Sequence, residues 1–170
     1  MKSAVADAGP LIHLAEIGAL ELLQTFDPLH IPEAVWSETV RQSHLDPDRL
    51  LEMGAVERHS LPVPVVAQFV RDHSIADLHA GEREALCLCS RIDVPLILTD
   101  DLAVRDVAKK LSVTPVGSLG VVARGYRQGR ISLAQAERLI GDLDEVSTLF
   151  VTRAIVDLAL EQLRSLVGKE

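Results

Sequence analysis

Four carboxylic acids stand where short apolar runs give way to helical patterns. Lys2 to Ala6 reads as a strand and stops at Asp7. Val94 to Thr99 reads as a buried parallel strand and stops at Asp100-Asp101. In an open parallel sheet, ligands bind beyond the carboxyl ends of the strands, so an acid there points into a crevice rather than into the core. Glu38 follows Ala34 by four residues and Val35 by three on a predicted helix, at the border of its apolar stripe. Glu82 follows Gly81 at the mouth of the helix that feeds the second strand. Glu84 is rotated by about 200° from Glu82, so the two are not expected to face one site. Taken alone, Asp7 and the Asp100-Asp101 pair also read as helix caps, Glu82 and Glu84 as partners of the helix dipole, and Glu38 as an ordinary surface residue. Four converging carboxylates would not all stay ionised without a counter-charge. A hard divalent cation, Mg2+ or Mn2+, supplies one through oxygen ligands. Such a site activates water and stabilises a phosphodiester transition state.

Other chemistry finds little support. No phosphate-binding GxxxxGK[ST], no GxSxG and no strand-linked GxGxxG is present. The six histidines show neither HExxH nor HxxxH spacing. Asp77, His79 and Glu82 could share a metal, but solvated loop residues are the simpler reading. Cys87 and Cys89 point about 200° apart on a helix and read as small buried hydrophobes in a reducing cytosol. Arg124, Arg127 and Arg130 recur every third residue around Tyr126, with Arg105, Lys109 and Lys110 as further cations. On a helix they would form one basic face, either an RNA-phosphate track or a solvated surface.

Composition narrows the partners. The chain has 170 residues, 17 basic and 25 acidic, for a net charge of −8. A protein that grips nucleic acid by charge alone is normally basic, so a nucleic-acid role needs a reason for the excess carboxylates, and metal binding is one. Aromatics make up 3 %, which argues against a base-stacking platform. The longest run without Asp, Glu, Lys or Arg, from Leu111 to Ala123, is broken by Pro115, Gly117 and Gly120. It is too short for the ~20 apolar residues of a membrane span. No signal peptide is read at the N-terminus, so the expected location is cytoplasmic.

The elements that must position the acids alternate. Ala8-Gly9-Pro10 reads as a turn, with Pro10 suited to a first helical turn, before helical pieces around Gly18. Leu29 to Ile31 reads as a second strand, and Pro32 opens a helix from Glu33 to Gln42. Asp46-Pro47-Asp48 caps a short helix from Arg49 to Met53. Val56 to Leu61 is ambiguous, and Pro62 with Pro64 marks a loop. Gly81 opens a helix, Leu102 to Leu111 forms another, and Val113 to Val116 is a last strand. Ser132 with Gln135 is a capping box, and Thr152 caps a final helix that would bury Val156, Leu160, Leu163 and Val167. Strands alternating with helices predict an α/β fold on a parallel sheet.

Ordered along the chain, these motifs resemble the PIN-domain family, in particular a subgroup of small prokaryotic PIN-like proteins. The resemblance rests on Val5-Ala6-Asp7-Ala8-Gly9-Pro10-Leu11-Ile12-His13-Leu14-Ala15, on Ile31-Pro32-Glu33-Ala34-Val35 with Glu38, and on Gly81-Glu82-Arg83-Glu84-Ala85-Leu86. It continues through Leu96-Ile97-Leu98-Thr99-Asp100-Asp101 and Val116-Gly117-Ser118-Leu119-Gly120-Val121. It implies an α/β/α sandwich over residues 1–123 and a helical C-terminal extension over residues 124–170, packed on the same domain or on a dimer partner. It implies a Mg2+- or Mn2+-dependent ribonuclease, in many relatives the toxin of a toxin–antitoxin pair and a homodimer. Asp7, Glu38, Glu82 and Asp101 would be the acidic quartet, with Asp7 and Asp101 on the metal. Thr99 stands two before Asp101, as in the family's Thr-x-Asp pattern, while Asp100 and Glu84 are additional candidates. Three departures stand out. Glu82 replaces the commoner Asp, Ala8 and Gly9 replace hydroxyl residues, and Asp100 doubles the last acid. They leave a non-catalytic module that binds nucleic acid or protein as the alternative. A phosphoacceptor receiver domain is a further rival, but too few residues follow Asp101 for its remaining βα units.

Overall fold

The computed structural model describes residues 2–42 and 45–167. The chain opens with β1 (Lys2–Ala6), α1 (Ala8–Glu16) and a 3-10 segment (Leu20–Thr25) leading into β2 (Phe26–Pro32). Next come α2 (Glu33–Trp36), a π-helical segment (Ser37–Gln42), α3 (Pro47–Glu52) and β3 (Val56–His59). The middle holds α4 (Val63–His73), α5 (Ala80–Ile92), β4 (Leu96–Leu98), α6 (Leu102–Lys110) and β5 (Thr114–Val116). The helices α7 (Ser118–Arg127), α8 (Leu133–Glu145) and α9 (Arg153–Ser165) close the chain.

The five strands form one all-parallel sheet in the order β3-β2-β1-β4-β5. Strand side chains alternate between faces, so a central strand covered on both sides must be apolar throughout. Ala4, Val5 and Ala6 of β1 are fully buried. Ala4, Ala6, Leu29, Ile31 and Leu98 enter one core with residues of α1, α7, α8 and α9. Val5 and Ile97 enter a second core with residues of α5 and α6, flanked by Phe69 and Val70 of α4. Helices therefore cover both faces, giving an α/β/α sandwich.

Several sequence expectations need correction. Ala8-Gly9-Pro10 is not a turn but the first turn of α1, because the Asp7 carboxylate caps it and Pro10 sits where a missing N–H costs nothing. Of the two prolines expected to mark a loop, Pro62 ends the short connection after β3 as the N-cap of α4, while Pro64 lies inside the first turn of that helix, by the same rule. The ambiguous stretch after Val56 is the edge strand β3, paired with β2 from Leu29↔Val56 to Pro32↔His59. The Glu33–Gln42 helix changes to π geometry at Ser37, where the Thr39 hydroxyl donates to the carbonyls of Val35 (2.9 Å) and Trp36 (3.2 Å).

The C-terminal helices belong to the first core. The boundary expected after Ala123 lies inside α7, and Ala136, Leu139, Ile140, Leu143, Val156 and Leu163 pack in the same cluster as Leu11 and Leu98. The Ser132–Gln135 capping box is present in both directions (3.1 and 2.8 Å), and Thr152 caps α9. Val167 was expected to be buried, but it lies past the last turn of α9 and is 51 % exposed. If α9 is integral to the domain, Leu163→Ala lowers stability by about 2–5 kcal/mol in urea denaturation. Leu158→Ala, on the half-exposed face of the same helix, changes it by only about 0.5 kcal/mol.

Candidate active site

The strand order turns back on itself between β1 and β4, since β2 and β3 extend to one side and β5 to the other. Such a switch point opens a crevice at the carboxyl ends of its two strands. Asp7 follows β1, and Thr99-Asp100-Asp101 follows β4. The ladder continues past both strand ends, with the Asp7 N–H donating to Leu98 O and the Thr99 N–H to Val116 O, each at 2.9 Å. Asp7 and Thr99 are therefore held side by side by backbone geometry.

Asp7 is 5 % exposed and Thr99 is fully buried. Asp7 Oδ1 accepts from Ala8 N (2.8 Å), and Oδ2 accepts from Thr99 Oγ1 (3.0 Å). The same Thr99 oxygen accepts from the Asp101 N–H (3.2 Å). One hydroxyl thus couples the ends of the two strands. Asp101 caps α6 through Oδ1, which accepts from Val104 N (3.0 Å).

Two further acids face Asp7. Burial pushes the Asp7 carboxyl up to about 7, against the lowering effect of its Ala8 and Thr99 hydrogen bonds, and the charges of Glu82 and Glu38 add to the rise. Glu38 is raised first by its own burial and then by Glu82, with His79 opposing. These mutual effects mark one neighbourhood of negative potential around Asp7. Gly81 permits it: a Cβ there would meet Glu38 Oε2 at 3.1 Å and Val35 Cγ2 at 3.2 Å, so the first turn of α5 lies close against α2 and the π segment. The Glu82 carboxylate accepts from the His79 backbone N–H (2.8 Å) and ring Nδ1–H (3.2 Å). Among the described residues, no Lys or Arg pairs with Asp7, Glu38, Glu82 or Asp101. No three of these acids bring ligand atoms within 4.8 Å of one another. Asp7, Glu38 and Glu82 share one electrostatic neighbourhood without forming a closed cage, and Asp101 is linked to Asp7 through the Thr99 hydroxyl.

Asp100 and Asp101, left open by the sequence, have separate surroundings. Asp100 Oδ2 accepts from His13 Nδ1 (2.7 Å) and Ser118 Oγ (2.6 Å), and Oδ1 accepts from Ser118 N (2.7 Å). It ties α1 to the start of α7, and Gly117 is needed beside it because a Cβ there would come within 2.9 Å of Asp100 Oδ1. Asp101 is the exposed member of the pair. Glu84 turns to α2, where Oε2 accepts from Ala34 N (2.8 Å), as its rotation from Glu82 requires. Asp77, His79 and Glu82 form no three-ligand group, and His79 with Glu82 is the contacting pair.

The arginine face expected around Tyr126 does not form, because α7 ends at Arg127 and leaves Arg130 beyond it. Arg124 instead donates to Thr25 O (3.1 Å) and lies over the Phe26 ring (4.6 Å), bracing α7 against the 3-10 segment. Arg105 donates to Thr99 O (3.3 Å). Arg105 and Arg127 border a groove of about 640 Å³ that also reaches Asp100, Leu119 and Phe150. Sequence reasoning missed His13 and Ser118, the partners that distinguish Asp100 from Asp101. A lone His and a lone Ser carry no spacing signal.

The chain is thus an α/β fold on an all-parallel, doubly wound sheet, with Asp7, Glu38 and Glu82 influencing one another near its switch point. The sequence model of the PIN domain family matches residues 3–165, and the chain belongs to that family. No curated protein and no solved structure matches it.

The Asp7 shift fixes the sign of a pH effect. Its folded-state pKa lies above the unfolded value of about 3.9. Without a cation, the fold holds a proton that the unfolded chain releases. Stability is therefore greatest below pH ~4 and falls as pH rises through about 7, by on the order of a few kcal/mol. His30, lowered by burial and by His59, works in the opposite sense. The informative quantity is thus the difference between wild type and Asp7→Asn in urea unfolding with EDTA. The variant gains on wild type from about pH 5 to pH 8; parallel profiles would contradict the assignment.

Asp100→Ala and Asp101→Ala should also part company in stability. Losing three short hydrogen bonds at Asp100 costs about 2–3 kcal/mol, whereas Asp101→Ala costs the ~1 kcal/mol of a helix cap. Thermal denaturation of the two variants provides the comparison.

Proposed function

We propose that the chain is a Mg2+- or Mn2+-dependent endoribonuclease that hydrolyses RNA phosphodiester bonds. The observation that carries this reading is the mutual electrostatic influence of Asp7, Glu38 and Glu82 near the switch point, where among the described residues no Lys or Arg pairs with them and His79 offsets part of their charge. Their donor set is oxygen only, which suits a hard cation, and Mg2+ keeps several waters, which suits an open arrangement. Asp7 and Asp101 would hold the cation directly, with Glu38 and Glu82 holding its waters. When bound, the cation lowers the pKa of water and takes up charge on the attacked phosphate.

The chain's own residues supply the rest. The Thr99 hydroxyl keeps Asp7 and the Asp101 backbone in fixed relation, so the site is assembled before substrate arrives. Glu38, whose proton affinity is raised by burial, would accept a proton from the attacking water. Arg127 and Arg105 border the groove beside the site and would meet RNA phosphates.

The further assignments follow this reading. A small antitoxin protein is a fitting partner for a ribonuclease of this family. Leu102 (78 % exposed), Phe150 (93 %) and Ile155 (49 %) surround the same groove, which supports a homodimer with the two sites sharing one RNA channel. No described helix is long and apolar enough to cross a membrane, consistent with a cytoplasmic RNA substrate. One observation favours a binding module without cleavage: the Glu82 carboxylate already bonds its own helix start at His79.

Cleavage of structured and single-stranded RNA with Mg2+, Mn2+ or EDTA tests the proposal. Wild type should cut only with a cation. Asp101→Asn should lose about 100-fold or more in rate while keeping the circular dichroism of wild type. Arg127→Ala should chiefly weaken RNA binding and flatten its salt dependence by about one unit of slope. Equal cleavage by wild type and Asp101→Asn would assign the activity elsewhere. RNA binding without cleavage would establish the second reading.

A further inference from the structure

A second cluster of ligating groups lies on the other arm of the sheet. β2 and β3 pair His30 with Glu57 and Pro32 with His59. Side chains at paired and alternate positions share a face, so His30, Glu57 and His59 all project from one side. It is the side of Val5, which pairs with His30 across β1 and β2. Arg58, between the two β3 ligands, points the other way, bonded to Glu33 (2.9 Å) and stacked over Trp36 (4.2 Å). That cation is therefore not available to neutralise the cluster.

The atoms meet closely. His30 Nδ1 lies 2.8 Å from His59 Nε2, and Glu57 Oε2 lies 3.5 Å from the first and 3.8 Å from the second. Among the described residues, this is the trio of potential metal ligands whose donor atoms all fall within 4.8 Å. The rings are tilted by 55° rather than stacked, so the contact is between nitrogens and not between faces. Four-coordinate zinc with bonds of about 2.0–2.2 Å separates its ligand atoms by roughly 3.3–3.6 Å. The two distances to Glu57 lie in or just above that range, and its exposed arm can close the difference; the two nitrogens must part by about half an ångström, a shift open to the part-exposed His59 ring.

We propose that His30 Nδ1, His59 Nε2 and Glu57 Oε2 form a binding site for a borderline transition-metal cation, Zn2+ in particular, with water in the fourth position. Two imidazoles and one carboxylate select such a cation over Mg2+, the reverse of the oxygen-only group at Asp7. The cation takes the place of the hydrogen now shared by the two rings, and the donating imidazole carries its proton on its other nitrogen. His30 is buried, His59 is half-buried and Glu57 is open, so the site is entered from the sheet edge. Once bound, the ion links the edge strand to its neighbour. Its role is to hold β3 in place, and it is independent of RNA hydrolysis.

Titration of the full chain, stripped with chelator, with Co2+ as a spectroscopic probe tests this. One Co2+ per chain should give the intense visible absorption of four-coordinate cobalt. Zn2+ should displace it and excess Mg2+ should not. His59→Gln and Glu57→Gln, both at solvent-accessible positions and checked for folding by circular dichroism, should each weaken binding by more than about 10-fold. Asp101→Asn should leave it unchanged. Zn2+ should raise the urea midpoint of wild type and not of His59→Gln. Absence of binding, the pale spectrum of six-coordinate cobalt, binding that survives both ligand variants, or binding lost in Asp101→Asn would each overturn the proposal.

Discussion

A carboxylate that is almost wholly buried at the end of a central strand is the constraint on which the rest of the structure turns. Removing Asp7 from water costs free energy, and two hydrogen bonds, from Ala8 N and Thr99 Oγ1, offset only part of it. Glu38 and Glu82 add to the penalty. A carboxyl left near neutrality can yield its proton to a cation at modest cost, which a fully ionised, solvated Asp would not couple to binding in the same way. The surroundings that tolerate this are specific. β1 is buried on both faces, its ladder to β4 runs on through the Asp7 N–H, that of β4 to β5 through the Thr99 N–H, and the Thr99 hydroxyl both donates to Asp7 and accepts from Asp101. Valine at position 99 would match threonine in shape while leaving the Asp101 N–H without its acceptor and Asp7 Oδ2 without its donor.

Neighbouring identical residues take different work because their environments differ. Asp100 is saturated by His13 and Ser118 and joins α1 to α7, while Asp101 caps α6 and stays open to solvent. Glu82 and Glu84 divide in the same way. The first faces Glu38 and Asp7, and the second holds the start of α2, the element that leads to Glu38. In each pair one acid builds the frame and the other is presented by it.

How far the sequence reveals this depends on whether the signal is local. β1, β4 and β5 were readable from short apolar runs, and the acids after β1 and β4 from the rule that parallel strands present their last residues to a crevice. The Ser132 box and the Thr152 cap were readable because capping is a contact between residues three apart. Pro64 misled because proline breaks a helix interior yet favours its first turn, and the two cases look alike until the following register is known. The arginine spacing misled because a three-residue repeat means one face only while the helix lasts, and α7 stops at Arg127. The cluster of His30, Glu57 and His59 was not readable at all. Its members meet through the β2–β3 register, and β3 itself was ambiguous as a four-residue edge strand.

The charge balance takes on a different meaning once positions are known. With a net charge of −8, the chain cannot attract RNA over its whole surface. Several of its cations are committed to the fold: Arg124 to Thr25 and Phe26, Arg58 to Glu33 and Trp36, Arg164 to Glu137, and Arg153 to Asp144 and Asp157. Arg105 and Arg127 remain beside the groove. At physiological ionic strength a charge is felt over about 8 Å, so these two arginines outweigh distant carboxylates for a phosphate in that groove. The acidic group works at the same short range. A bound divalent ion would turn the potential of the crevice from negative toward positive where the scissile phosphate must sit. On the nuclease reading proposed above, affinity for RNA and occupancy by the cation would be coupled through electrostatics, so that an acidic protein would bind nucleic acid best at one place and with its metal site filled.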